Sequence, residues 1–122
     1  MVVSDSISNG VVLYLGNGTG TFTYLTGLGG LGAYGAGPGW AVVADVNRDG
    51  IPDILIQASD TVVVYAGEGG ATYATPIYIG TGPDPTSLLV ANLHGQLATA
   101  GVPDIVAPDA NQGVMVLINV TR

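Results

Sequence analysis

The sequence predicts an all-β fold in which a four-stranded antiparallel unit is copied along the chain. Three observations carry this expectation. The apolar runs are short and bounded by turn residues. Glycine (20 of 122 residues) and β-branched residues crowd out the residues that favour helix interiors. One block of residues recurs at a fixed spacing.

The runs can be justified in order. Residues 1–3 read as the end of a strand. Residues 11–15, 40–44, 54–56, 62–66, 88–91, 105–107 and 114–118 are apolar, and each is closed by Gly, Pro, Asn or Asp. Runs of this length between turn signals read as buried strands. Most show little period-two alternation, which suits strands covered on both faces. Residues 22–25 and 75–79 alternate better and suit outer strands. The glycine-rich stretch 27–32 reads as a flexible connection between units.

The recurrence has an offset of 51 residues. Val11-Val12-Leu13-Tyr14-Leu15-Gly16 lies over Val62-Val63-Val64-Tyr65-Ala66-Gly67. The same offset carries Phe22 to Tyr73 and Gly50-Ile51-Pro52-Asp53-Ile54 to Gly101-Val102-Pro103-Asp104-Ile105. A partial third copy begins near Gly113. The repeat units are about 11–61 and 62–112, with a partial unit at 113–122, all within one region spanning 1–122. Each unit holds about four strands: 40–46, 53–57, 61–66 and 71–79. That is the size and shape of a β-propeller blade, with about two and a half blades in the chain. A β-sandwich built by duplication is the competing architecture.

One loop carries recognisable chemistry. In Asp45-Val46-Asn47-Arg48-Asp49-Gly50-Ile51-Pro52-Asp53, oxygen side chains fall at positions 1, 3, 5 and 9. Calcium takes about six to eight hard oxygen ligands, and alternate residues of a tight loop can converge on one centre. Asp45, Asn47, Asp49 and Asp53 supply side chains, and Ile51 supplies the backbone carbonyl. Three carboxylates this close repel one another without a cation. An EF-hand needs a bidentate Glu at position 12, where this chain has Ile56, and it needs flanking helices. A bare Asx-rich turn is the metal-free alternative. The second copy places Asn92, His94 and Gln96 at positions 1, 3 and 5 and keeps only the carboxylate of Asp104, so it is expected to be metal-free.

Composition narrows the function classes. Nine acids against two bases give a net charge of −7. Phosphate recognition needs Lys and Arg, and only Arg48 and Arg122 are present, so no nucleic-acid partner is expected. No run approaches the ~20 apolar residues of a membrane-spanning helix, and no signal-peptide pattern opens the chain. Without cysteine there is no disulfide, thiolate site or Cys nucleophile. His94 is the sole histidine, and no nucleophile-elbow or phosphate-loop pattern occurs. The chain therefore reads as no enzyme. Trp40, Tyr24, Tyr34, Tyr73 and Tyr78 are candidates for stacking on a sugar or a partner, or for packing between units; Tyr14 and Tyr65 are repeat equivalents and read as structural. The two sequons, at Asn17 and Asn119, matter only in a glycosylating secretory pathway.

The loop motif, followed by residues 62–67 and a Gly-rich turn ending in an aromatic, resembles the FG-GAP/VCBS repeats, the integrin-α-like β-propeller repeats. Leu15-Gly16-Asn17-Gly18-Thr19-Gly20-Thr21-Phe22 is similar to the same family's strand-turn-strand signature. The resemblance implies calcium held through Asp45, Asn47, Asp49, the Ile51 carbonyl and Asp53. It also implies an extracellular or cell-surface module for adhesion or for binding a protein or glycan. A structural scaffold with no ligand site beyond calcium is the alternative. A family propeller has about seven blades, so either the chain is part of a longer propeller or copies assemble as a homo-oligomer that completes one.

Overall fold

The computed structural model describes residues 1–5, 7, 9–29, 31, 37–83, 85–93 and 102–117. Twelve strands run through them, with no α-helix among the described residues. None of their segments is a helix long and apolar enough to cross a membrane.

The strands form three antiparallel sheets and a small ribbon. The first sheet has the order β1 (Val2–Asp5), β2 (Gly10–Gly16), β3 (Phe22–Leu28). The central sheet has the order β4 (Pro38–Ala44), β5 (Asp53–Ala58), β6 (Thr61–Tyr65), β9 (Ile77–Gly80). The third has the order β10 (Leu89–Ala91), β11 (Asp104–Asp109), β12 (Gly113–Leu117). Strands β7 (Gly67–Gly69) and β8 (Thr72–Tyr73) pair only with each other. Sequential strands joined by hairpins into up-and-down sheets are the construction of propeller blades.

The expected fourth strand differs from the observed one. Instead of one strand over 71–79, β6 turns a corner at Gly67, makes the ribbon, and returns as β9. The register shifts between Gly67 and Gly69, and Pro76 has no N–H to give to the ladder. Gly69, Gly70 and Ala71 all take positive φ, which closes the ribbon tightly.

Two cores explain the weak alternation in sequence. Ile54, Ile56, Ala58, Val63 and Tyr65 of the central sheet pack with Val11, Leu13 and Leu31. Leu55, Val62 and Val64 pack on the opposite side with Val46, Leu88 and Ile105. Each of β5 and β6 thus buries both faces, one against each neighbouring sheet, so apolar residues occupy consecutive positions. The outer strands β3 and β9 are largely exposed, as their alternating pattern predicts. In the glycine-rich stretch, Gly27 and Leu28 are the last residues of β3, and Leu31 is buried in the first core. A single apolar side chain anchors what composition alone presents as a free connection.

Candidate metal centre

The loop between β4 and β5 is organised by its own side chains. Asp45 Oδ1 accepts the Arg48 amide at 2.7 Å, and Oδ2 accepts the Gly50 amide at 2.9 Å. Asn47 Oδ1 accepts the Asp49 amide at 3.0 Å, while Asn47 Nδ2 donates to Asp49 Oδ2 at 2.8 Å. Asp49 Oδ1 accepts the Ile51 amide at 2.7 Å. These are nested Asx turns, the local alternative that Asp and Asn offer to a regular ladder. They curl the chain through Arg48 and Gly50, both at positive φ. The Asn47 and Asp49 side chains meet, and Asp45 bonds to the backbone of the same turn; Asn47 and Asp49 are exposed and Asp45 is half-buried.

Asp53 is placed differently. It is fully buried. Its Oδ2 accepts the Val46 amide at 2.8 Å and its Oδ1 accepts the Gly67 amide at 2.8 Å. The carboxylate thereby ties the start of the loop to the corner where β6 becomes β7. That corner lies so close to the loop that a Cβ on Gly67 would collide with the Pro52 carbonyl oxygen and come within 2.8 Å of Ile51 Cγ2. Glycine is required there for the close approach. Burial pushes the Tyr73 phenol above its ordinary range, and the Asp53 charge pushes it the same way.

The second copy repeats this latch. Asp104 is fully buried, and its Oδ2 accepts the Leu93 amide at 3.0 Å. Leu93 follows Asn92 as Val46 follows Asp45. The latch persists where positions 1 and 5 have lost their carboxylates. The latch role of Asp53 and Asp104 and the close approach at Gly67 were not read from the sequence. The signal was present: Pro-Asp is retained in both copies while the acids of the loop are not. His94 and Gln96 lie outside the described residues, as do Tyr34 and Asn119.

The donors suit a hard cation by type. They are all oxygens, and a carboxylate oxygen that accepts one amide retains a further lone-pair site. Among the described residues no three His, Cys, Asp or Glu side chains are gathered tightly enough to hold a metal. Asp45 and Asp49 are the two acids of the exposed turn, and Asn47 lies between them.

The aromatic candidates divide. Tyr65 is buried, and its hydroxyl donates to the Gly29 carbonyl at 3.0 Å. Tyr73 and Tyr78 pack against the first core. Tyr14 meets Tyr24 edge to face, with ring centroids 6.1 Å apart. Trp40 and Tyr24 stay exposed. At the end of the central sheet away from the loop, a cavity of about 400 Å³ is lined by Gly39, Gln57, Ser59 and Asp60, with Pro83 and Pro85 behind them. It falls in the size range of small-ligand sites.

Residues 1–56 match the family model for the FG-GAP-like repeat. This match, over 56 of the 122 residues, supports an FG-GAP-type repeat protein. The match covers the first sheet, β4, the Asp45–Asp53 loop and the start of β5. No curated protein and no solved structure matches the chain. The FG-GAP match and the antiparallel sheets of the described residues together support a propeller-type repeat module.

Proposed function

We propose that this FG-GAP-type chain is an extracellular calcium-binding module that serves adhesion or binds a ligand, a glycan or a protein. The observation that supports the calcium reading is one short turn that carries the side-chain oxygens of Asp45, Asn47 and Asp49, with Asn47 and Asp49 in direct contact. Calcium there neutralises the local negative charge and cross-links the turn; the Ile51 carbonyl and Asp53 complete the expected ligand set. The polar cavity lined by Gly39, Gln57, Ser59 and Asp60 supports a ligand held by several hydrogen bonds, and exposed Trp40, outside that lining, offers a separate stacking face.

Calorimetry with calcium and with EGTA tests the metal reading. A ligand that binds only the native state raises the melting temperature by linkage. An unchanged transition removes the metal. Glycan-array or pull-down signal that disappears with chelator supports ligand binding.

One observation favours a scaffold role instead: the loop carboxylates already accept the loop's own amides, so the turn closes without a cation. A chelator-lowered melting point with no captured ligand supports that reading, in which calcium only stiffens the hairpin.

A further inference from the structure

The first and third sheets each leave one apolar face open. In the third sheet, Leu89, Val106 and Val116 form one row across the strands, because Val106 is the register partner of both others. Pro108 and Val114 form the next row. Leu89 is 56% exposed, Val116 41% and Val114 65%. In the first sheet, Val3 pairs with Val12, and Tyr14 pairs with Tyr24 while exchanging backbone hydrogen bonds with Met1. Val3 is 38% exposed and Tyr24 63%. Asp5 lies at the end of this face, with its carboxylate accepting the Ile7 amide.

The central sheet shows what such faces do. The row Val42, Leu55, Val64 has the same strand order and register as Leu89, Val106, Val116, and Val62 stands where Val114 does. In the central sheet that face is buried against the third sheet. On the other side, Ile56 pairs with Val63 as Val3 pairs with Val12, and Tyr65 is the repeat equivalent of Tyr14. That face is buried against the first sheet. The open face of the third sheet is therefore the one that seeks a first-type or central-type neighbour ahead of it. The open face of the first sheet is the one that seeks such a neighbour behind it.

We propose that the third sheet of one copy of this chain packs its Leu89–Val106–Val116 face on the Val3–Val12–Tyr14 face of a second copy. The contact reproduces, between copies, the sheet-on-sheet interface that the chain forms twice within itself. Two different faces meet, so the association is heterologous, head to tail, and each added copy leaves one face free until a ring closes. Both faces are dominated by apolar side chains, and open apolar patches of this kind mark interaction surfaces. The inference rests on the repeat fold and is independent of calcium.

Sedimentation velocity and light scattering on the whole chain, across a dilution series, with calcium and with EDTA, test it. The wild-type chain is expected to form particles of at least twice its 12.2 kDa mass in both buffers. Val116→Lys blocks one face and Val3→Lys the other; lysine reduces the net negative charge, so lost association is not charge repulsion. Each variant alone is expected at the single-chain mass, and an equimolar mixture at twice that mass, because each retains the face the other lacks. Ile7→Lys, in the exposed β1–β2 turn, leaves the wild-type mass unchanged. Circular dichroism confirms that each variant keeps the β-sheet spectrum; Leu89→Lys and Tyr24→Lys serve as a second pair if either does not. A wild-type chain that stays at the single-chain mass, single variants that still assemble, or a mixture that stays monomeric each overturns the proposal.

Discussion

Replacing Asp53 with alanine removes both acceptors that hold the Asp45–Asp53 loop to its sheet. The Val46 and Gly67 amides lose a charged acceptor that is fully buried. A hydrogen bond to a charged group contributes about 1.5–3 kcal/mol, so losing the two costs about 3–6 kcal/mol. That is a large part of the ~5–15 kcal/mol that holds a domain together. Asp53→Asn keeps one acceptor and turns an NH₂ toward the other amide, so its cost is about 1–3 kcal/mol. The assay is urea unfolding in EDTA at one fixed protein concentration, followed by circular dichroism. With a slope of about 1–3 kcal/mol per molar urea, the alanine variant's midpoint falls by about 1 M or more. The decisive comparison is with Asp49→Ala, whose side chain is exposed and bonded only within the turn. In EDTA that variant stays within about 1 kcal/mol of wild type. An Asp53→Ala protein that matches wild type in EDTA and weakens only in calcium would refute the latch and leave Asp53 a ligand alone.

Further outcomes follow from the same geometry. Asp49→Ala is expected to abolish most of the calcium-induced rise in melting temperature, while Gln96→Ala leaves it intact; calorimetry with and without EGTA reads both, and equal effects would contradict the asymmetry between the two loops. Gly67→Ala forces its new methyl onto the Pro52 carbonyl and is expected to cost about 1–3 kcal/mol in urea unfolding; a neutral substitution would show that the corner yields freely. Asp104→Ala strips the Leu93 amide of its acceptor and is expected to cost about 1–3 kcal/mol regardless of calcium; a calcium-dependent loss would place a cation in the second loop. Burial raises the phenols of Tyr65 and Tyr73 above their ordinary 10.0, so the folded state holds those protons more tightly. Their contribution is full below pH 10.0 and is lost as the pH rises through their higher folded values. Tyr65→Phe should flatten the alkaline fall in unfolding midpoint, and an unchanged slope would rule out this residue as its source.

The sequence by itself determined the strand content, the repeat and the exposed turn. Its signals there are local: glycine and β-branched residues act on the backbone where they stand, and Asp45, Asn47 and Asp49 form their turns with amides two to five residues away. The tertiary structure decided three things. It split the last strand of the central unit into a ribbon and β9, because the corner at Gly67 has to lie on Pro52. It turned Asp53 inward, because the partner that claims its Oδ1 is an amide fourteen residues away that only folding brings near. It also left one face of each outer sheet uncovered while burying both faces of β5 and β6 in the central one. Val62 and Val114 are the same residue type at equivalent positions, and one is buried while the other is exposed. A residue's exposure depends on what packs against it, and that is set by neighbouring sheets and not by the residue's own place in the pattern.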